Sequence, residues 1–237
     1  MPIDRVIFSF FRYPASYVIP AFVFMGFQGL FRDRDMPPGP TRLMGCGGGD
    51  GFSIVPDLRM YSVMSAIPSD AELDHLRKTR WYRTIARPST EQLHFVLQPL
   101  SGHGTWDGEP LFAYQKRSVG DAPFVVLTHA RVRRQYARSF WRSVPGIRTN
   151  LQQAAGCRYH IGFGEHPLLT LATFSVWDGL EHMRDFAYHH STHQQVSRAA
   201  RQEHWLSESM FVRFGIERIE GDLSRHPDLE SLMLGSP

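Results

Sequence analysis

From Ala187 to Val196 the chain reads AYHHSTHQQV, so His189, His190 and His193 fall within five consecutive residues. Imidazoles crowded in this way serve as metal ligands or as members of a buried hydrogen-bond network. On a helix, His182, His189 and His193 share a face with Phe186, Val196 and Ala200, while His190 points about 100° away. An imidazole on such an apolar face needs a partner, because an unsatisfied ring nitrogen in a core costs on the order of 1 to 3 kcal/mol. Three partners meet the need. A carbonyl or carboxylate from a facing sheet can take the hydrogen bond. A non-haem metal can be held by His189 and His193, although no carboxylate stands between them to complete a facial triad. Haem iron needs a single axial imidazole among small and apolar groups. Residue types alone leave all three open.

Other chemistry finds less support. Gly45 to Gly51 reads GCGGGDG, which lacks the Gly-Lys-Ser/Thr ending of a phosphate loop and the spacing of a dinucleotide fingerprint. It reads instead as a flexible hairpin connection. There is no Gly-x-Ser-x-Gly elbow and no His-Glu-x-x-His pair, and neither Cys46 nor Cys157 stands in a catalytic context. Isolated histidines such as His103 and His226 read as solvated side chains. Arg134, Arg138 and Arg142 step by four residues, which suits a solvated helix face or a seat for a carboxylate or phosphate.

The elements that must position these residues come twice. In the first half VIFSFFRY (Val6 to Tyr13) is a strand, followed by an apolar helix and a break at Pro37 to Pro40. RLMGCGGGDGFS then leads to the strand MYSVMSAI (Met60 to Ile67), a helix starts at Ser69-Asp70 and runs through LDHLRKTRWYRTI, and LHFVLQPL (Leu93 to Leu100) closes the half. In the second half APFVVLTHARV, a helix with ARSFW, RYHIGFGEHP, LLTLATFSVW, a helix from Asp178 to about His204, and MFVRFGIERIEG repeat the order. GCGGGDGF with MYSVMSAIPSDAELDHL matches HIGFGEHP with LATFSVWDGLEHM, an internal repeat. The prediction is an α+β protein: two ferredoxin-like βαββαβ modules in one chain, packed by their open sheet faces into an intramolecular αβ barrel. The modules span 1–107 and 122–225, with 108–121 as linker and 226–237 as a surface extension. The space between sheets and helices is the natural binding site.

With 237 residues, 42% of them hydrophobic, the chain can bury a core as one unit or as two halves. Its 26 Lys and Arg are scattered among 23 Asp and Glu without a basic run, which argues against nucleic acid as a partner. Two isolated cysteines form no disulfide framework and suit a reducing cytoplasm. The start, Met1 to Arg5 followed by VIFSFF and Arg12, does not read as a signal peptide. Tyr17 to Phe31 is apolar for fifteen residues, short of the roughly 18 to 20 that span a bilayer. It is expected as a buried helix; the alternative is a membrane-surface helix that gathers a greasy substrate.

Three stretches carry a resemblance to a family. VLTHARV with FWRSVPGI (Val126 to Ile147), IGFGEHPLLTLATFSVW (Ile161 to Trp177) and FAYHHSTHQQVSRAARQEHWLSESMFVRF (Phe186 to Phe214) resemble the spheroidene monooxygenases of carotenoid biosynthesis. The patterns FW-x-x-VP-x-I, IGxGE-x-PLL and W-x-x-E-x-hydrophobic-x-x-RF are specific, and a looser likeness extends to RLMGCGGGDGFS. The resemblance implies an oxygen-dependent enzyme with a b-type haem, built like the haem-binding members of the dimeric αβ-barrel superfamily, among them aldoxime dehydratases and chlorite dismutases. It implies that the axial ligand is His193, not His189 or His190, with a carbonyl or carboxylate fixing its other nitrogen. It implies a small apolar substrate and an external electron donor, and it leaves room for a homodimer paired across barrel edges. Phe163, Phe174, Phe186 and Trp141 are candidate cavity walls that also suit plain core packing, and Arg134, Arg138 and Arg201 are candidate propionate partners. The family pattern has Arg at the position of His129 and Lys at that of His160, so the polar lining differs here. Two other readings keep the cavity: a haem enzyme whose substrate coordinates iron directly, like an aldoxime dehydratase or a peroxidase, and a non-catalytic carrier of haem or of a hydrophobic ligand.

Overall fold

VIFSFFR forms strand β1 (Val6–Arg12), which is buried on both sides: Val6, Phe8 and Phe10 point into one core and Ile7 and Phe11 into another. An apolar run interrupted only by Ser9 is what a strand covered on both faces requires. The structure, a computed structural model, describes residues 2–34, 36–49, 51–120, 122–166, 168–189, 200 and 202–234. After β1 come α1 (Val18–Phe27), β2 (Thr41–Gly47), β3 (Pro56–Ala66), α2 (Asp70–Lys78), α3 (Arg80–Ala86) and β4 (Glu91–Gly104). The second half gives β5 (Phe124–Val132), α4 (Ala137–Gln153), β6 (Cys157–Gly164), β7 (Thr170–Trp177), α5 (Leu180–His189), β8 (Leu206–Gly221) and a last helix, α6 (Pro227–Leu234).

The strands close into one antiparallel barrel in the order β1-β3-β2-β6-β7-β5-β8-β4. Each half contributes a sheet of ferredoxin-like order, β4-β1-β3-β2 and β8-β5-β7-β6, so the two predicted modules share one barrel. The two seams between the halves are unequal. β4 and β8 pair from Leu93 opposite Gly221 to Gly104 opposite Met210, whereas β2 and β6 pair only at Gly45 with Gly164 and Cys46 with Phe163.

The lumen is filled with aromatic side chains. Phe174 lies 4.9 Å from Phe95, 5.2 Å from Phe10 and 5.3 Å from Phe8, centroid to centroid, in tilted and edge-on pairs. Such pairs add about 0.5 to 1.5 kcal/mol each beyond the burial itself. Two segments read from sequence as surface connections close the barrel's mouths. In the predicted linker, Leu111 O accepts from Ile3 N (2.9 Å), Ala113 N donates to Ile3 O (2.7 Å), and Phe112 is buried edge-on to Phe214. At the opposite mouth the predicted tail folds as α6 and buries Leu229 completely. Its leading histidine, His226, is 3.1 Å from Glu91 rather than solvated. Both corrections have one cause: a barrel core needs lids, and short apolar clusters in otherwise polar segments supply them.

Helices cover the outer faces. Over the first sheet, α2 and α3 bury Leu73, Leu76, Trp81, Tyr82 and Ile85. Ser69 and Glu72 form a capping box at the start of α2, and Thr79 caps α3, splitting the single predicted helix in two. Because α2 and α3 already occupy this face, α1 is left at the sheet margin: only Ala21 is buried, and Ile19, Phe22, Val23 and Phe27 are exposed. The expectation of a buried helix is therefore overturned. Over the second sheet, α4 and α5 bury Phe140, Val144, Leu151, Met183 and Phe186.

The glycine-rich stretch is a hairpin, as expected, but a tightly packed one. Gly51 has φ +90° and lies against the backbone of Gly162, so a Cβ there would overlap the Gly162 carbonyl. The next residue, Phe52, is buried in the helix–sheet layer of the other half. At the 105–114 mouth, Arg42 bridges Asp107 (2.7 Å) and Glu165 (2.6 Å) beneath the Trp106 indole, which donates to Glu165 (3.1 Å). Burial alone would raise Asp107, yet Arg42 and Arg131 hold it below the usual carboxylate range. His129 stacks on Trp106 at 4.3 Å, with neither ring nitrogen hydrogen-bonded among the described residues.

Burial pushes His129 and His94 down from 6.5 to about 4. Below the unfolded pKa the unfolded chain takes up protons that these folded imidazoles refuse, so stability is full above 6.5 and falls as pH drops toward 4. Urea unfolding across that window is expected to lose about 1.4 kcal/mol per pH unit for each group, and His129→Asn to remove one such increment. An unchanged slope in both His129→Asn and His94→Asn contradicts this. Gly51→Val is expected to cost about 2 kcal/mol or more. Gly26→Ala, which meets nothing within 4 Å, serves as the control in the same titration.

Candidate active site

Because side chains alternate across a strand, half of VVLTHARV faces the lumen and half faces the helices. Val125, Leu127 and His129 point inward, and Val126, Thr128 and Ala130 point outward. The register lines up two outward rows across β6, β7, β5 and β8. One is Gly162, Thr173, Thr128 and Phe211; the other is His160, Ser175, Val126 and Arg213. In the first half the row equivalent to the former is Leu43, Val63, Ser9 and His94, wholly buried, with Ser9 3.1 Å from the Tyr82 hydroxyl. In the second half Thr128 is exposed at mid-sheet, and Thr173 and Phe211 are half-buried. The second helix–sheet layer is thus open at Thr128, where the equivalent row of the first is covered throughout.

The walls of this layer are apolar. Phe140 and Val144 come from α4, Phe186 from α5, where it lies 5.4 Å from Trp177, and Phe52 from the hairpin of the first half, edge-on to His160 at 5.8 Å. Arg213 brings a guanidinium to the same face, 5.1 Å over the Phe211 ring. This slot at Thr128, with aromatic walls and one half-buried cation, offers the side chains that a flat, mostly apolar group with acidic substituents requires, and the residues present fit a haem.

A second feature adjoins it. Where β2 and β6 pair over only two residues, a cavity of about 200 Å³ opens between the halves. Tyr61 and Cys46 line it from one side, Leu171, Phe163 and Trp141 from the other, with Phe22 of α1 and Ile54 of the hairpin at its rim. Tyr61 is buried, and its hydroxyl has no hydrogen-bond partner among the described residues. Burial pushes the phenol up to about 12, with Cys46 and Asp57 adding to the effect, so it remains a neutral donor at physiological pH. Leu171 and Trp141 also pack on the second helix–sheet layer, so the cavity and the slot share a wall.

The residues singled out from sequence are divided by this geometry. Phe186 walls the slot, and Trp141 lines the cavity, its indole donating to Leu168 O at 2.8 Å. Phe163 and Phe174 face the lumen, on the other side of the sheet from Phe186, because odd and even positions of a strand cannot share a face; Phe163 reaches the cavity from within. Arg134 and Arg138 are exposed on the start of the α4 segment, as a solvated face would be. His193 and Arg201 lie outside the described residues. Thr128, Thr173, Arg213 and Tyr61 were missed, although the strand alternation in VVLTHARV and the position of Arg213 in the W-x-x-E-x-hydrophobic-x-x-RF pattern carried a signal for two of them.

No family model matches the chain. Among solved structures, an aldoxime dehydratase aligns over 90% of this chain and 82% of its own, with a TM-score of 0.57 and 11% identity. An aldoxime dehydratase in complex with butyraldoxime aligns over 98% of this chain and 86% of its own, with a TM-score of 0.55 and 10% identity. At such identity the likeness is one of fold. Among curated sequences, the spheroidene monooxygenase of Rubrivivax gelatinosus is 35% identical over 76% of this chain and 70% of its own length. That of Rhodobacter capsulatus is 34% identical over 99% of this chain and 98% of its own length. A match of that extent, end to end, makes the chain a member of the spheroidene monooxygenase family.

Proposed function

We propose that the protein is a haem-dependent monooxygenase that oxidises an elongated apolar, carotenoid-like substrate with dioxygen and electrons from an external donor. Membership of the family supports the reaction class. The observation that carries the reading is the shared wall: the outer face of the second sheet, open at Thr128, abuts through Leu171 and Trp141 a cavity lined mostly by apolar residues at the seam. Haem iron, when bound, supplies the activation of dioxygen. We assign its axial ligand to His193 on the family resemblance, and Arg213 is the guanidinium on the slot's floor that suits a propionate.

The chain's own residues do the rest. Thr128 and Thr173 keep the floor low, while Phe140, Val144 and Phe186 supply apolar walls beside it. The cavity is smaller than the ~300 Å³ of a typical small-ligand site, which suits one end of a long thin molecule rather than a compact one. Tyr61 offers that end a hydrogen bond from a hydroxyl with no partner among the described residues, the sort of group that discriminates between a substrate with and without a polar terminus.

The test combines spectrum and label. Protein reconstituted with haem is expected to show a strong Soret band that persists in His189→Ala and is lost or shifted in His193→Ala. With reductant, a carotenoid and ¹⁸O₂, one labelled oxygen is expected in each oxygenated product. A colourless protein, spectra indifferent to His193, or oxygen drawn from water contradicts the proposal.

A further inference from the structure

Helix α1 is apolar on every side yet buries only Ala21. Ile19 is 75% exposed and Leu30, in the turn that follows, 83%. A helix hydrophobic all round belongs inside something, and an exposed apolar patch of this kind marks an interaction surface. The patch extends beyond the helix. Phe22, Ile54 and Leu168, from three separate segments, meet around the mouth of the seam cavity, and each is largely exposed.

The other end of α1 adjoins a cationic cleft. Tyr17, which precedes the helix, lines it together with Lys78, Arg80, Arg83 and Arg87, and no acidic residue among the described ones takes part. The four cations are all exposed, on α3 and its flanks. Apolar side chains beside a cluster of Lys and Arg, with a tyrosine at the boundary, are the features of a surface that lies in the interface of an anionic bilayer. With 10 residues α1 cannot cross, and no helix among the described residues is long and apolar enough to do so.

We infer that this face docks on an anionic lipid bilayer, with α1 and the hairpin tip in the acyl boundary, the arginine cleft on the headgroups, and the seam cavity opening toward the hydrocarbon. Two observations favour lipid over a second copy of the chain. A second copy would bring the same cations, which have no ion-pair partner among the described residues, to the interface, and it would cap a cavity whose mouth the patch surrounds. Docking requires no cofactor, so it stands or falls apart from the haem assignment.

The test is co-sedimentation of the full-length protein, with and without haem, with vesicles of phosphatidylcholine alone or mixed with phosphatidylglycerol. Binding to the anionic vesicles is expected to be at least ten-fold tighter than to the neutral ones and to weaken with salt. Phe27→Ser combined with Leu30→Ser, and separately Arg80→Glu combined with Arg83→Glu, are each expected to reduce it at least ten-fold, with circular dichroism unchanged. Wild-type protein that stays in the supernatant at low salt, or folded variants that bind as well as wild type, overturns the inference. So does a solution dimer that the Phe27→Ser, Leu30→Ser variant dissociates.

Discussion

The closed barrel sets the terms for everything else. Its lumen is packed solid around Phe174, with Phe8, Phe10 and Phe95 in contact with that ring. Interiors packed in this way admit no ligand without losing several kcal/mol of contacts. The proposed site accordingly lies on the outside of the sheets, beneath the helices. The two outer layers follow one repeated pattern and differ in cover: Leu43, Val63 and Ser9 lie sealed under Tyr82 and its neighbours, whereas Thr128 is exposed and Thr173 half-buried on the other.

Closure also makes the halves interdependent. The long β4–β8 seam holds them together, which lets the β2–β6 seam shrink to two residue pairs and leave a cavity. The hairpin after β2 reaches across that gap, Gly51 against Gly162, and delivers Phe52 into the slot of the second half. The glycines serve this close approach rather than an anion. The site is accordingly a property of the whole barrel, although most of the floor comes from β5, β7 and β8.

Much of the fold was legible in sequence, because a repeat of strand, helix, strand, strand, helix, strand constrains topology more than any single segment does. The legible part ended where burial depends on what else is nearby. Tyr17 to Phe31 is greasy enough for a core, and only the prior claim of Trp81 and Tyr82 on the same sheet leaves it exposed. Phe112 and Leu229 sit in segments that look like connections, and nothing local says that the barrel's mouths need them. Phe163 and Phe174 were grouped with Phe186 by aromatic character when their strand parity puts them on the opposite face. Tyr61 gave no sign at all, since a hydroxyl without a partner among the described residues is visible only once the chain is folded.

The central claim is this division of labour between lumen and outer layer, and paired substitutions test it directly. Haem uptake, read from the Soret band, and urea stability would be measured side by side for Thr128→Trp and Phe174→Leu. The account predicts that Thr128→Trp, at an exposed position, keeps stability within about 1 kcal/mol and abolishes haem uptake. Phe174→Leu is predicted to lose roughly 1 to 3 kcal/mol and still bind haem. Uptake that survives Thr128→Trp and fails in a folded Phe174→Leu protein would place the ligand in the lumen and contradict it.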